Sequence, residues 1–305
     1  MVLNGGLGNQ LFQLSRATFL NPDGVLYLNQ SIGKNRKIKN NVDLFSFTLA
    51  TNVIKDSKDK SNIFSKLANR YLLHRVVSSR ETFYAKILEK LSFIVIKISQ
   101  SNLRFREWKL LLGKGSGYNE SLVSSESNYV LVGYFQSWRW FDPEINAKIL
   151  RQIQPTVKSE IFLALEKVTK TKKILMIHIR IGDYKADDDF GVLTKSYYEK
   201  SINLITSKYP QDEIWVFSDS IAEAKKMVAP FLKGVNSRFV SDDLSTAESF
   251  ELLRNGSAFI IANSTFSWWG AQLSYSSNPT VVAPKKWFHA MPDPKDICPP
   301  AWIRI

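Results

Sequence analysis

Cysteine is almost absent: Cys298 is the only one in 305 residues. That excludes an internal disulfide framework and a cysteine-built zinc site, and it fits a reducing compartment, with the cytoplasm as the default. No basic-then-apolar leader opens the chain, because Met1 runs almost at once into Gly5-Gly6-Leu7-Gly8, so the expectation is a protein not marked for export. Long apolar runs are missing too. Stretches such as Phe93 to Ile98 are broken by lysine, well short of the roughly 20 residues that a membrane-spanning helix needs. There is no internal repeat, low-complexity tract or glycine-serine linker, so a domain boundary must be read from the pattern of elements.

Acidic residues are also in short supply, 28 against 41 basic ones, which leaves a formal charge of +13. Polyanions or an anionic surface are the partners such a balance suits. The excess concentrates between Lys55 and Lys114, which hold fourteen Lys and Arg but five Asp and Glu. Within that stretch Tyr84, Ile87, Leu88, Leu91, Ile94, Val95 and Ile98 recur at helical spacing, with Lys86, Glu89, Lys90 and Lys97 towards the other face. Two readings follow: a core-facing helix with a solvated side, or a basic amphipathic helix at 84–98 that touches an anionic membrane from the inner face. A nucleic-acid binder is a rival explanation of the charge, with Trp138-Arg139-Trp140-Phe141 offering aromatics beside an arginine. No RNA-binding signature accompanies it, and the expectation is no nucleic-acid partner.

With 44% hydrophobic and 12% aromatic residues, the chain can bury one large core or two ordinary ones. The first half reads as a strand-turn-helix opening, a charged helical middle and a strand candidate at Tyr129 to Phe135. The second half is more regular. Lys173 to Ile179, Glu213 to Ser218, Phe239-Val240, Ala258 to Ala262 and Thr280 to Ala283 read as strands. Helices are expected over Leu193 to Ser207 and from about Ile221, Ala247 and Phe266. Such alternation predicts a parallel sheet with helices on both faces, and ligands in these sheets bind beyond the carboxyl ends of the strands. The predicted domains are 1–155 and 156–305.

The residues just after the strands are rich in chemistry. The first strand delivers His178, Arg180, Asp183 and Tyr184, the second Asp219, and the fourth Asn263-Ser264-Thr265-Phe266-Ser267-Trp268-Trp269. The planar fork of Arg180 suits two phosphate oxygens. Hydroxyls of Ser264, Thr265 and Ser267 fall where a helix begins, where they cap it or, with its free amides, hold an anion. Trp268 and Trp269 are expected to pack and fix the loop.

These residues bring a resemblance into view. Gly5 to Gln13 (GGLGNQLFQ), GYFQS at 133–137, HIRIGDY at 178–184, FSDS at 217–220, IIANSTFSWWGAQL at 260–273 and VVAPKKWF at 281–288 together resemble the bacterial α-1,2-fucosyltransferases, glycosyltransferase family eleven, in family order over nearly the whole chain. Three features depart from the family. Ile181 stands where a second arginine is common, the opening strand is reduced to Met1 to Asn4, and the basic middle third matches nothing closely.

The resemblance implies an α/β fold of the GT-B type, two Rossmann-like domains facing a cleft. Domain 1–155 would be the acceptor side with a basic helical insertion, and domain 156–305 would hold the donor, GDP-β-L-fucose. It implies inverting transfer of fucose to the 2-hydroxyl of a terminal β-galactoside, on an oligosaccharide or lipid-linked glycan of a surface polysaccharide or O-antigen, with no metal and no cofactor. Arg180 and the Asn263 to Ser267 loop would stabilise the leaving diphosphate. His178 and Glu248 would lie near the guanine or ribose, and Asp183 and Asp219 would orient the site. Gly6, Gly8 and Asn9, on the turn Gly6 to Gln10, would approach the fucose or acceptor. Each has a plainer reading: a satisfied buried histidine, a loop cap, a solvated helix residue. The run Asp187-Asp188-Asp189 is a solvated loop, a cation-binding cluster, which the family argues against, or the source of a general base, with Asp188 the candidate. Another GDP-sugar remains the alternative donor.

Overall fold

The computed structural model describes residues 1, 3, 5–28, 43–50, 53–55, 108–113, 117–118, 128–142, 144 and 146–305. The amphipathic segment 84–98 lies outside the described residues. Contacts divide the chain into two compact units, Met1–Phe45 with Leu49–Ile153, and Ser46–Thr48 with Gln154–Ile305. Ser46–Thr48 joins the second unit because β2 (Phe47–Thr48) pairs antiparallel with β6 (Gln154–Pro155).

In the first unit, helix α1 (Leu7–Leu20) is followed by two parallel pairs. One joins β1 (Leu26–Leu28) to β3 (Val53–Lys55), the other β4 (Trp108–Gly113) to β5 (Asn128–Gly133). Leu7, Leu11, Phe12 and Leu14 are buried along α1, the apolar spacing that places a helix against a core. The GGLGNQ segment is less of a turn than its glycines suggest. Only Gly5, at φ +76°, and the N-cap Gly6 lie outside the helix, and Gly8 and Asn9 already sit in its first turn. Among the described residues Met1 and Leu3 are in no strand; the Met1 ammonium donates instead to the Tyr27 carbonyl at 2.8 Å.

The second unit holds a six-stranded sheet in the order β12-β11-β10-β7-β8-β9, every neighbouring pair parallel. The strands are β7 (Ile174–Ile179), β8 (Glu213–Ser218), β9 (Ser237–Phe239), β10 (Ala258–Ile260), β11 (Thr280–Ala283) and β12 (Ile303–Arg304). Counting β7 as the first, this is the 3-2-1-4-5-6 order of a Rossmann sheet, whose switch point falls between β7 and β10. All six residues of β7 are buried, which is why the strand reads as a continuous apolar run rather than an alternation.

Between the strands lie α2 (Lys195–Lys208), α3 (Ile221–Val228), α4 (Thr246–Arg254) and α5 (Thr265–Gln272). Ser159 caps a further helix, α6 (Glu160–Thr169), ahead of β7 by accepting from the Phe162 amide at 3.2 Å. Thr280 to Ala283 is not the last strand, because β12 follows it. Two residues are too few to show a period of their own, and what places β12 is its parallel pairing with Val282 and Ala283. Trp268 and Trp269 are fully buried and pack edge to face at 4.8 Å, and the Trp268 indole donates to the Ile297 carbonyl at 2.8 Å. They fix the segment after β10 by packing, as their neighbourhood in the sequence suggests.

Candidate active site

The turn after β7 is built around one carboxylate. Asp219, at the end of β8, accepts the Ile181 amide at 2.9 Å and the Gly182 amide at 3.1 Å, and its Oδ2 lies 3.1 Å from Arg180 Nε. Gly182 leaves room for this carboxylate, since a Cβ there would lie 2.7 Å from Asp219 Oδ2 and push it from the turn. The same Arg180 Nε donates to Asp183 Oδ1 at 2.9 Å, with Nη2 also 2.9 Å from that oxygen, and the guanidinium stands 5.5 Å over the Tyr184 ring. One edge of the guanidinium is thus anchored and Nη1 is left for a ligand. Burial works against the charge on Arg180, but the hydrogen bond to Asp183 and the fields of Asp219 and Asp183 outweigh it and raise its pKa. Ile181, where an arginine might have stood, is 2% exposed and packs in the apolar cluster with Tyr197, Tyr198 and Ile202. The position faces the core, so it offers no site for a second phosphate-binding cation.

His178 precedes this turn with its ring buried, 5.4 Å from Phe266. Burial, reinforced by the charge of Arg180 and only partly opposed by Asp219, pushes its pKa down to about 3. The imidazole is therefore neutral in the folded protein, with a buried Nδ1 that has no hydrogen-bond partner.

Across the switch point, β10 leads into α5. Ser264 is the N-cap, yet its side chain makes no capping hydrogen bond. The start of α5 therefore keeps a hydroxyl and its first amides available, with the partly exposed Thr265 beside them. Two neighbours face inward instead. Ser267 is fully buried and donates to the Ser264 carbonyl at 3.2 Å. Asn263 is 2% exposed and its Nδ2 donates to the carbonyls of Phe190, Gly191 and Trp287 at 3.0 to 3.2 Å. It ties the loop after β7 to the loop after β11, while the Tyr184 hydroxyl donates to the Asn263 carbonyl at 3.1 Å. Of the four residues, Ser267 and the Asn263 amide nitrogen are tied into the fold, Ser264 makes no capping bond, and the buried Asn263 Oδ1 has no hydrogen-bond partner among the described residues.

Glu248 is likewise engaged within the fold. It forms a capping box with Ser245 at the start of α4, accepting the Ser245 amide at 2.9 Å and hydroxyl at 2.7 Å, and its other oxygen takes the Ser159 amide at 2.6 Å. Burial alone would raise its pKa, but these hydrogen bonds hold it below the ordinary carboxylate value. Among the three aspartates, Asp187 accepts the Asp189 amide at 2.9 Å and the Asp189 carbonyl accepts from His289 and Ala290. Asp188 is exposed and makes no such bond. Among the described residues no group of three His, Cys, Asp or Glu side chains is placed to hold a metal ion.

Gly6, Gly8 and Asn9 belong to the first unit. There, Asn9 Oδ1 accepts from Gln136 Nε2 at 2.8 Å, Gln10 donates to the Gly5 carbonyl and Gln13 to the Gly133 carbonyl. Gln136 had entered the sequence reading only as part of GYFQS; its meeting with Asn9 across 127 residues leaves no local signal. Trp140 is fully buried, 3.9 Å from the Arg16 guanidinium, so within Trp138 to Phe141 this ring packs inward rather than offering a face to a ligand.

A parallel sheet in Rossmann order places an anchored arginine on one side of its switch point and an uncapped helix start on the other, the region where sheets of this class hold ligands beyond the strand ends. The sequence profile of Glycosyl transferase family 11 matches residues 1–305, and the chain belongs to that family: it is a glycosyltransferase. It is 28% identical to the O-antigen biosynthesis glycosyltransferase WbnK of Escherichia coli, over 94% of this chain and 93% of that protein. It is 27% identical to an Escherichia coli alpha-1,2-colitosyltransferase over 99% of this chain and 97% of that one. A galactoside 2-alpha-L-fucosyltransferase of Caenorhabditis elegans matches at 28% identity over 50% of this chain and 46% of its own. The two α/β units with parallel strands are the parts from which a GT-B enzyme is assembled, and no described helix is long and apolar enough to cross a membrane.

Two measurements follow. Glu248→Ala is expected to lower stability by roughly 1–3 kcal/mol, as a capping box and a buried amide lose their acceptor, with little change in donor KM; a raised donor KM at unchanged stability would return Glu248 to the ligand. The depressed pKa of His178 means that the unfolded chain binds a proton where the folded one does not. Its contribution to stability is complete above pH 6.5 and is lost as pH falls towards about 3. Thermal unfolding of His178→Gln should accordingly decline less steeply in acid than wild type, and equal slopes would mean that the imidazole is not held neutral.

Proposed function

We propose that the enzyme transfers L-fucose from GDP-β-L-fucose to the 2-hydroxyl of a terminal β-galactoside, with inversion and without a metal ion, in building an O-antigen or other surface polysaccharide. The second unit holds the donor and the first the acceptor. The observation that carries this reading is the pairing, at one switch point, of Arg180 with the uncapped start of α5 at Ser264. Support for the sugar and its destination comes from the galactoside fucosyltransferase and O-antigen relatives.

In this reaction the acceptor oxygen attacks the anomeric carbon from the face opposite the diphosphate. The bond from that carbon to the β-phosphate oxygen breaks, and negative charge grows on the leaving oxygen. Arg180 Nη1 and the first amides of α5 lower the barrier to the extent that their hydrogen bonds strengthen as that charge appears. The Asp183 carboxylate is 64% exposed and yields to the diphosphate at small cost, since an exposed ion pair is worth about 0–1 kcal/mol. The acceptor proton goes to a carboxylate, for which Asp188 is the candidate because the fold leaves it uncommitted. His178 stays neutral beside Arg180 and meets the nucleotide as a hydrogen-bonding group rather than as a cation.

A second reading, another GDP-sugar as donor, is favoured by the alpha-1,2-colitosyltransferase similarity along nearly the whole chain. A panel of GDP-sugars with β-galactoside acceptors, run with and without chelator, separates the two. Turnover of GDP-fucose undiminished by chelator is expected; turnover of a different donor only, or a strict metal requirement, contradicts the proposal. Arg180→Lys keeps the charge but loses the fork, and kcat is expected to fall on the order of a hundredfold to a thousandfold. Near-normal turnover would remove Arg180 from the mechanism.

A further inference from the structure

The first unit contains a polar pair that the phosphate chemistry does not use. Gln136 is 8% exposed, and its only side-chain hydrogen bond runs from Nε2 to Asn9 Oδ1 at 2.8 Å. That bond fixes the sense of both amides. Asn9 has given its acceptor and keeps Nδ2, a donor; Gln136 has given a donor and keeps Oε1, an acceptor. Among the described residues no side-chain hydrogen bond uses Gln136 Oε1, so this acceptor is available to a ligand beside the Asn9 donor.

The surroundings leave room for a ligand. Gly6, which caps α1 without a side chain, is exposed, and a Cβ there would have nothing within 4 Å. Gln136 is delivered to this place by Phe135, which sits at φ +52° and is the only non-glycine residue with positive φ among those described. Such a conformation is strained for a residue with a side chain and persists where surrounding structure enforces it. Here the Phe135 ring is buried against Gly113, where a Cβ would come within 2.6 Å of it.

A donor and an acceptor side by side, both uncharged, match a hydroxyl group, which accepts and donates at once. They do not match a phosphate, which offers acceptors only and would meet the Gln136 oxygen with repulsion. We infer that Gln136 and Asn9 form a two-point subsite for one hydroxyl of a neutral sugar, with Gln136 a specificity-determining residue. The sugar comes from one of two sources, the glycan acceptor or the glycosyl group of the donor, and the inference rests on the proposed fucosyl transfer.

Gln136→Met keeps length and volume but removes both polar atoms. Kinetics with GDP-fucose and a galactoside, and with singly deoxygenated versions of each sugar, read the subsite directly. The expected result is a rise of about tenfold in KM for one of the two sugars, as for one lost hydrogen bond, with an unchanged inhibition constant for GDP as a product inhibitor. One deoxygenated sugar should lose about tenfold with wild type and nothing further with Gln136→Met, a coupling that a merely structural role does not produce. The sugar whose deoxygenation is silent in the variant identifies the source. Asn9→Asp, which keeps the acceptor for Gln136 and loses the donor, serves as the second variant should Gln136→Met fold poorly, and the same coupling is expected of it.

Unchanged KM for both sugars, or equal losses across every deoxygenated compound in wild type and variant, overturns the subsite while leaving the donor assignment intact. Absence of wild-type transfer from GDP-fucose overturns the donor assignment and the subsite with it.

Discussion

The Asp219 carboxylate holds the amides of Ile181 and Gly182 and the Nε of Arg180 at one point, and the rest of the proposed donor site depends on that acceptance. A turn leaving the end of a parallel strand exposes backbone donors that the sheet no longer satisfies. Meeting them with a carboxylate from the adjacent strand does three things at once. It closes the turn, fixes the direction in which Arg180 leaves the backbone, and leaves one guanidinium edge open. The turn and Asp219 position the arginine in the absence of a ligand, and such preorganisation is the condition under which a hydrogen-bond donor lowers a barrier most. Ile181 completes the arrangement from below, its side chain in the core, so the turn is held by packing on one side and by charge on the other.

The second half of the site is held by neutral groups. Asn263 joins the carbonyls of two loops from different strands, and Trp268 and Trp269 fill the space beneath. The start of α5 is thereby fixed without using the Ser264 hydroxyl or the first amides. A helix start is worth most to an anion when its donors are not already engaged, and the absence of a side-chain cap at Ser264 keeps them so. Adjacent residues of one short segment are used differently: Asn263 and Ser267 bond to backbone carbonyls, while Ser264, itself buried, makes no capping bond and Thr265 is partly exposed.

Strong local signals made much of the second unit legible in the sequence. Glu213 to Ser218 was read with the bounds it has, because an apolar run of that length between turn residues has few alternatives. The placing of His178, Arg180 and Ser264 at strand ends followed from the alternation of strands and helices. Less was legible where a side chain's partner lies far along the chain. Glu248 looks like a helix residue free for a ligand until Ser159, 89 positions away, is seen to take one oxygen. Gln136 gives no sign of Asn9. Gly8 and Asn9 read as a turn because glycines surround them, but α1 begins at Leu7, where burial of Leu7 and Leu11 outweighs the poor helix propensity of a glycine.

The account turns on where the diphosphate lies. A crystal structure of the protein with GDP tests this most directly. The predicted result is a β-phosphate about 3 Å from Arg180 and from a first-turn amide of α5, with the Asp183 carboxylate displaced from the guanidinium. A diphosphate bound away from both groups, with Arg180 still paired to Asp183, would contradict the central claim.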